Sequence, residues 1–266
     1  MAKTLCLAAD AYGSLPDVVG FAEVGDASVL KALLSATPLR KLNYCFVHYD
    51  SPDRRGIDCA LLYRRSRFRL LNSKPCHLYD STGAVMPTRD ILLVVLETKG
   101  DAGLDGDGPC SGQPDTLAVL VNHHPSKVGA GSGDRRRIAM ARLRFLADSL
   151  QAAGISHIIA IGDFNDAVVP AAGVVSGLPA LSSPEPPGTI KFQGRWEKID
   201  GCPLLEGARA EEHVFAPQCL LERDSHGGEK PRRTFSGPRY LGGVSDHLPV
   251  VYILSKNSLS LRDNEN

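Results

Sequence analysis

HIIAIGDFND, residues 157–166, joins two unlike halves. The first, His157 to Ile161, is a short run rich in Ile and Ala, the composition of a strand covered on both faces. Gly162 then lets the backbone turn or come close to something else. Asp163, Asn165 and Asp166 follow at once. They set oxygen-bearing groups at the carboxyl end of that strand, where open α/β sheets keep their ligands. An Asp/Asn turn also ends strands without any functional reason. The stretch therefore has to be weighed against the rest of the chain.

Other segments repeat the first half of the pattern. PDVVGFAEV (16–24), CFVHYD (45–50), IDCALLYR (57–64), ILLVVLETK (91–99) and TLAVLVNHH (116–124) read as strands, and GGVSDHLPVVYIL (242–254) turns from polar to strand. Helices are fewer. Leu5, Ala8, Ala9 and Tyr12 fall at helical spacing up to Gly13, and Asp26 can cap a helix over ASVLKALLSA. Residues 134–152 predict the longest helix, with Asp134 as N-cap and Ile138, Ala141, Leu143, Phe145, Leu146 and Leu150 as its apolar stripe. DAGLDGDGPCSGQPD (101–115) reads as an exposed, mobile loop. Residues 168–190 are rich in Pro and Gly, 222–233 form a polar loop, and the tail from 255 is disordered. With no repeat and no linker, the chain is expected to be one layered α/β domain, 1–254, followed by a polar tail, 255–266.

Composition narrows the function. The 266 residues hold 30 Lys plus Arg against 30 Asp plus Glu, so no overall basic field draws the protein to nucleic acid. Aromatic residues are only 6%, which argues against a tight, sequence-specific DNA reader. The seven cysteines are scattered, without a CxxC pair, and point to a reducing, cytoplasmic compartment rather than a disulfide framework. No apolar run approaches the roughly 18 residues of a membrane span. MAKTLCLAADAYG reads as an amphipathic helix, not a signal peptide.

Four segments share one arrangement, an apolar strand with polar groups at its end. They are Glu23 after VVGFA, His123 after LAVLVN, Asp163 and Asn165 after HIIAI, and Asp246-His247 before LPVVYIL. Carboxylate and amide oxygens suit Mg2+ or Mn2+ together with phosphate oxygens. Two histidines nearby suit acid/base work close to neutral pH. Together these parts describe in-line attack of water on a phosphoryl centre.

The segments also resemble a family. PDVVGFAEV, RGIDCALLYR, PTRDILLVV, VNHHPSK, IGDFND, GTIKFQGRWEKID and GGVSDHLPVV occur in the order and rough spacing of the endonuclease/exonuclease/phosphatase superfamily, which includes DNase I-like nucleases. The similarity runs from about residue 14 to 254, and GDFND and SDH are its most specific parts. It implies a four-layer α-β-β-α sandwich of two mainly antiparallel sheets, with the site at one end. By the same resemblance Glu23 holds the divalent metal, supported by Asp246. Asp163 orients or deprotonates the attacking water, and Asn165 positions the phosphate. His247 stabilises the pentavalent transition state with Asp200 fixing its imidazole, His123 contacts the phosphate or assists proton transfer, and Arg89 clamps the phosphate. Asp58 is a candidate to orient His123. Lys191 and Trp196 match a family-like segment, where the single Trp is more often core than a substrate stacker. Arg135, Arg136 and Arg137 read as a solvated first helical turn.

One departure stands out. The family usually begins with a strand carrying an Asn near the metal, whereas here Met1 starts inside the following helix. The expectation is a central sheet opened by one strand, with one site group lost and any signal peptide lost with it. The activity expected is metal-dependent hydrolysis of a phosphodiester by a monomeric nuclease, endo- or exo-acting. The alternatives are a phosphatase or phosphodiesterase on a small molecule or lipid head group, and a non-catalytic binding protein that kept the fold.

Overall fold

The computed structural model describes residues 1–99, 115–127, 129, 131–177 and 185–256. Its first half runs α1 (Ala2–Tyr12), β1 (Val18–Val24), α2 (Ala27–Ser35), a 3-10 turn (Pro38–Lys41), β2 (Tyr44–His48), β3 (Asp58–Arg64), β4 (Phe68–Cys76) and β5 (Ile91–Thr98). There follow β6 (Thr116–His123), α3 (Ser132–Ala152), β7 (His157–Asp163), β8 (Val174–Ser176), β9 (Ile190–Phe192) and β10 (Arg195–Glu197). The last part holds β11 (Asp200–Glu206), β12 (Ala208–Val214), a second 3-10 turn (Gln218–Leu220), β13 (Leu221–Arg223), β14 (Glu229–Pro231), β15 (Phe235–Ser236), β16 (Arg239–Tyr240) and β17 (Val250–Lys256).

Runs that are apolar at every position need cover on both faces, and they take the middle of the largest sheet, ordered β11-β7-β6-β5-β4. Only β6 and β7 pair in parallel there. On one face Leu93, Val95, Ala118, Leu120, Ile158 and Ala160 meet Ala139, Leu143, Leu146 and Ala147 of α3. On the other, Leu92, Val94, Val119, Val121 and Ile159 meet Leu61 and Tyr63 of β3 and Ala208 and Ala210 of β12. That facing layer is in two pieces, β1-β3-β2 and β17-β12-β8. α1 covers the first piece by packing Leu5 with Tyr44 and Leu62, and α2 by packing Leu30 with Val24 and Ala60. The order of layers is therefore α-β-β-α, as the resemblance implies.

Among the described residues β1 pairs only with β3 and β17 only with β12, so each presents one edge of free backbone groups. Both edges line a single cavity of about 1190 Å³. Its apolar wall includes Leu117, Val119, Val121, Ile159 and Ile161 of the large sheet, with Leu5 and Ala8 of α1. Glu23, Asp163, Asp200, Asp246 and His247 line the same cavity.

Some local readings change. α3 is capped by Gly131 in a left-handed conformation, and Asp134 sits in its first turn, where a carboxylate still favours the helix dipole. Phe145 is 59% exposed, lying beneath the Arg142 guanidinium, and Ala141 is exposed too. Leu143, Leu146 and Ala147 with Ala139 make the buried stripe instead. The polar segment 222–233 is not all loop, since β13 and β14 pair within it. The Gly/Asp-rich stretch 101–114 and the tail from 257 lie outside the described residues. α1 ends at Gly13 with φ 75°, and Asp26 caps α2 by accepting from Ser28 N at 2.6 Å, as the sequence predicts. No helix among the described residues is long and apolar enough to cross a membrane.

Candidate active site

Strand register sets the site. β6 and β7 are parallel with His123 opposite Asp163, and β11 runs antiparallel to β7 with Asp200 opposite Asp163. Paired residues on neighbouring strands project to the same face, so imidazole and both carboxylates stand side by side. Gly162 makes this approach possible. Its φ is 138°, and a Cβ there would lie 2.0 Å from the Asn122 carbonyl oxygen. Only glycine fits.

The remaining groups arrive on turns. Phe21 to Val24 form an irregular step in the β1–β3 pairing, and Glu23 within it has φ 61°. This turns its carboxylate out of the strand, 60% exposed, with Oε1 4.0 Å from His123 Nε2. Asp163 Oδ2 lies 3.6 Å from the same nitrogen. Asn165, φ 50°, donates its backbone N–H to Asp163 Oδ1 at 2.8 Å. Its Nδ2 donates to Asp163 Oδ2 at 3.2 Å and to His124 O at 2.9 Å. Both amide protons are thus engaged, and Asn165 holds Asp163 rather than presenting a free donor to a phosphate. His247 is drawn in by an isolated bridge to Ile190, and its Nδ1 lies 2.8 Å from Asp200 Oδ2. Thr189, fully buried, donates its hydroxyl to the same Oδ2 at 2.5 Å.

Charge and burial separate these groups. Burial lifts the Asp163 carboxyl to about 7, and the Asp200 charge adds to it against the opposing pull of His247. At His247 burial disfavours the imidazolium, but the Asp200 hydrogen bond and the charges of Asp200, Asp163 and Asp246 outweigh it and raise the pKa to about 9. Burial, reinforced by Arg89 and Arg55, pushes His123 down to about 3. Near neutral pH the site holds a cationic His247, a neutral His123 and an Asp163 close to its midpoint.

Two expected residues take other partners. Arg89 cannot serve as an open phosphate clamp. Its side chain is 5% exposed and committed to Asp53 Oδ2 at 3.0 Å and to His124 O at 2.5 Å. Buried charge demands such partners, and they leave it facing inward. Asp246 pairs with Arg233 at 2.9 Å while lining the same cavity as Glu23 and adding its charge at His247. Asp58 contacts His48 rather than His123. Lys191 is buried against Asp224 and lies over the Trp196 ring, while Trp196 packs on the cluster of Val214, Leu220 and Leu248. Arg136 pairs with Asp166, and Arg137 with Asp134. Sequence reasoning missed Thr189, although it stands in the GTIKF segment already singled out; a small hydroxyl residue gives no sign by itself of holding Asp200.

Glu23, Asp163 and Asp200 gather three carboxylates around His123 and His247. One atom each of Asp163, Asp200 and His247 lies within 4.8 Å of the others. Asp200 is committed to His247 and Thr189. Glu23 and Asp163 are the oxygen donors that fit a hard divalent cation.

A model of the Endonuclease/Exonuclease/phosphatase family matches residues 1–186 and 204–256. Among solved structures, the human Nocturnin catalytic domain is similar at 17% identity and TM-score 0.55, covering 96% of this chain and 85% of that one. A Bacteroides thetaiotaomicron mannosyl-6-phosphatase is similar at 15% identity and TM-score 0.56, covering 96% and 90%. D. rerio TDP2, humanized by 14 mutations, reaches 19% identity and TM-score 0.51 over 95% and 90%. At these identities the likeness is one of fold. No curated protein sequence matches the chain.

Proposed function

The chain belongs to the endonuclease/exonuclease/phosphatase family, and from that premise we propose that it is a divalent-metal-dependent phosphoesterase that hydrolyses its substrate by direct attack of water. The observation that carries this reading is the juxtaposition at one strand end: strand register sets Asp163 beside His123 and Asp200, and His247 is held on Asp200 at 2.8 Å. Burial raises the Asp163 carboxyl and the Asp200 carboxylate keeps His247 protonated, so a base and a cationic acid stand side by side. Unaided phosphodiester hydrolysis is so slow that the site must supply on the order of 20 kcal/mol of transition-state stabilisation.

Each residue has a part. Asp163, held by Asn165, takes the proton of the attacking water. His247, kept protonated and oriented by Asp200, donates toward a phosphate oxygen as charge builds there. Neutral His123 stands beside them, its Nε2 3.6 Å from Asp163 Oδ2, without adding charge. Mg2+ or Mn2+ bound at Glu23, with Asp163 beside it, would neutralise phosphate charge and acidify the water.

A phosphodiester, nucleic acid among the possibilities, is the first substrate reading. A compact phosphate ester is the second, and one observation favours it. Lys127 and Arg233 on loops and Arg136 in the first turns of α3 are paired with Glu197, Asp246 and Asp166, leaving no strip of free cations from these groups to follow a polyanion.

The test is hydrolysis of bis-p-nitrophenyl phosphate and p-nitrophenyl phosphate with Mn2+, Mg2+ or EDTA, beside Asp163→Ala. Metal-dependent turnover that Asp163→Ala lowers at least a thousandfold is expected, and preference for diester or monoester ranks the two substrates. Folded protein with no turnover on either would end the enzymatic reading.

A further inference from the structure

A second group of ligating side chains converges where β2 ends and β3 begins, sharing no residue with the hydrolytic group, although Asp58 pairs with Val24 next to Glu23. His48, Asp50 and Asp58 each bring a donor atom within 4.8 Å of the other two. The His48 and Asp58 side chains are each only 4% exposed, and His48 Nε2 lies 3.2 Å from Asp58 Oδ2. That contact is an ion-pair approach and not an aligned hydrogen bond, so the hydrogen-bonding capacity of the buried nitrogen is not met by the protein and a ligand lying between the two groups would satisfy both. The carboxylate beside it is arranged to match. Asp58 Oδ1 accepts from Ser51 N at 2.8 Å, which leaves Oδ2 turned toward His48, while exposed Asp50 closes the group from the solvent side.

We propose that His48, Asp50 and Asp58 bind a divalent cation of the zinc class. One imidazole and two carboxylates form a borderline donor set that Zn2+ accepts readily, with water completing the shell. The role of the site follows from the chain that it closes. Residues 49–57 loop from β2 to β3, and Asp53 on that loop holds Arg89, which donates to the carbonyl of His124. Asn165 donates to that same carbonyl. A cation joining His48 and Asp50 to Asp58 pins both ends of the loop and so steadies the frame behind His123, Asp163 and Asn165. It takes no part in the proton transfers.

The test reads binding, not turnover. Zn2+ titration by calorimetry uses the full chain carrying Glu23→Gln, Asp163→Ala and His247→Ala, so that the hydrolytic cluster contributes little. The expected result is one equivalent of Zn2+ lost on adding His48→Gln, and affinity at least tenfold weaker on adding Asp50→Asn. Asp50 is exposed, so that variant keeps the test open if His48→Gln fails to fold. Co2+ in place of Zn2+ should give visible absorption of a four-coordinate ion that vanishes with His48→Gln. Zn2+ should also raise the Tm of the background protein and not that of its Asp50→Asn form. Zn2+ affinity, stoichiometry and Tm that are indifferent to both substitutions would overturn the site and leave His48–Asp58 a plain buried ion pair.

Discussion

Asp163 is buried beside Asp200, with Glu23 near, and its carboxyl is lifted to about 7 from an ordinary 3.8. A base with this midpoint works only when deprotonated, and His247, raised to about 9 from 6.5, works only when protonated. The kcat/KM profile should therefore be a bell, its alkaline limb falling through about pH 9 as His247 deprotonates. Its acid limb should lie below the metal-free midpoint of Asp163, because a bound divalent cation favours the carboxylate. A flat profile across that span would separate these two groups from the chemistry. The same shift governs stability. A carboxyl whose folded pKa lies above its unfolded value favours folding while protonated, and that contribution is lost as pH rises from about 4 through about 7. Asp163→Asn should then be inactive yet more stable than wild type at pH 8 in EDTA, by a few kcal/mol in urea denaturation, with the gap closing toward pH 4. Equal midpoints at both pH values would mean that Asp163 is not held at such a cost.

Elements place these residues, and two contacts between elements can be probed. β6 and β7 come so close at Asn122 and Gly162 that a methyl group has no room, and the φ of 138° is one that other residues rarely adopt. Gly162→Ala should destabilise the fold by about 3 kcal/mol or more, seen as an early urea midpoint. A native-like midpoint would show that the strands can part without penalty. The loop after β2 is tied to the end of β6 through Asp53 and Arg89, both buried. Arg89→Leu leaves Asp53 Oδ2 without its buried partner, with only Arg55 still held on Oδ1, and should cost about 3 kcal/mol of stability. KM per folded molecule should stay within about threefold of wild type. A large rise in KM with stability intact would restore Arg89 to the substrate.

At the scale of the molecule, the feature to probe is the cavity between two strand edges. The free edges of β1 and β17 share an apolar cavity of about 1190 Å³, wide enough to admit small apolar molecules from solvent. The native protein should bind 1-anilinonaphthalene-8-sulfonate while keeping its near-UV circular dichroism, a combination that a loosened, partly unfolded state would not give. No fluorescence gain in the native state would mean that the layers close over the gap. The hydrolytic carboxylates line the same cavity, so the dye should also be sensitive to ligands that fill the site.

The sequence by itself determined the strands that are apolar at every position, because a run such as ILLVVLE tolerates no wet face in any fold. It also marked Glu23, His123, Asp163, Asn165, Asp200 and His247, since each stands at the end of such a run or in a motif whose resemblance names it. β4, β11 and β12 escaped notice because FRLLNSKPC, DGCPLLE and ARAEEHV mix polar and apolar residues without a clean period. Which partners the charged groups take was left to the tertiary structure. Arg89 could be a clamp or a buried strut, and Asp246 a ligand or a surface pair, depending on neighbours far away in the chain. Asp53 lies 36 residues from Arg89, and Thr189 is 11 residues from the Asp200 that it holds. Local sequence records what a side chain can offer. Burial and the approach of distant strands decide what it meets, and through that its charge.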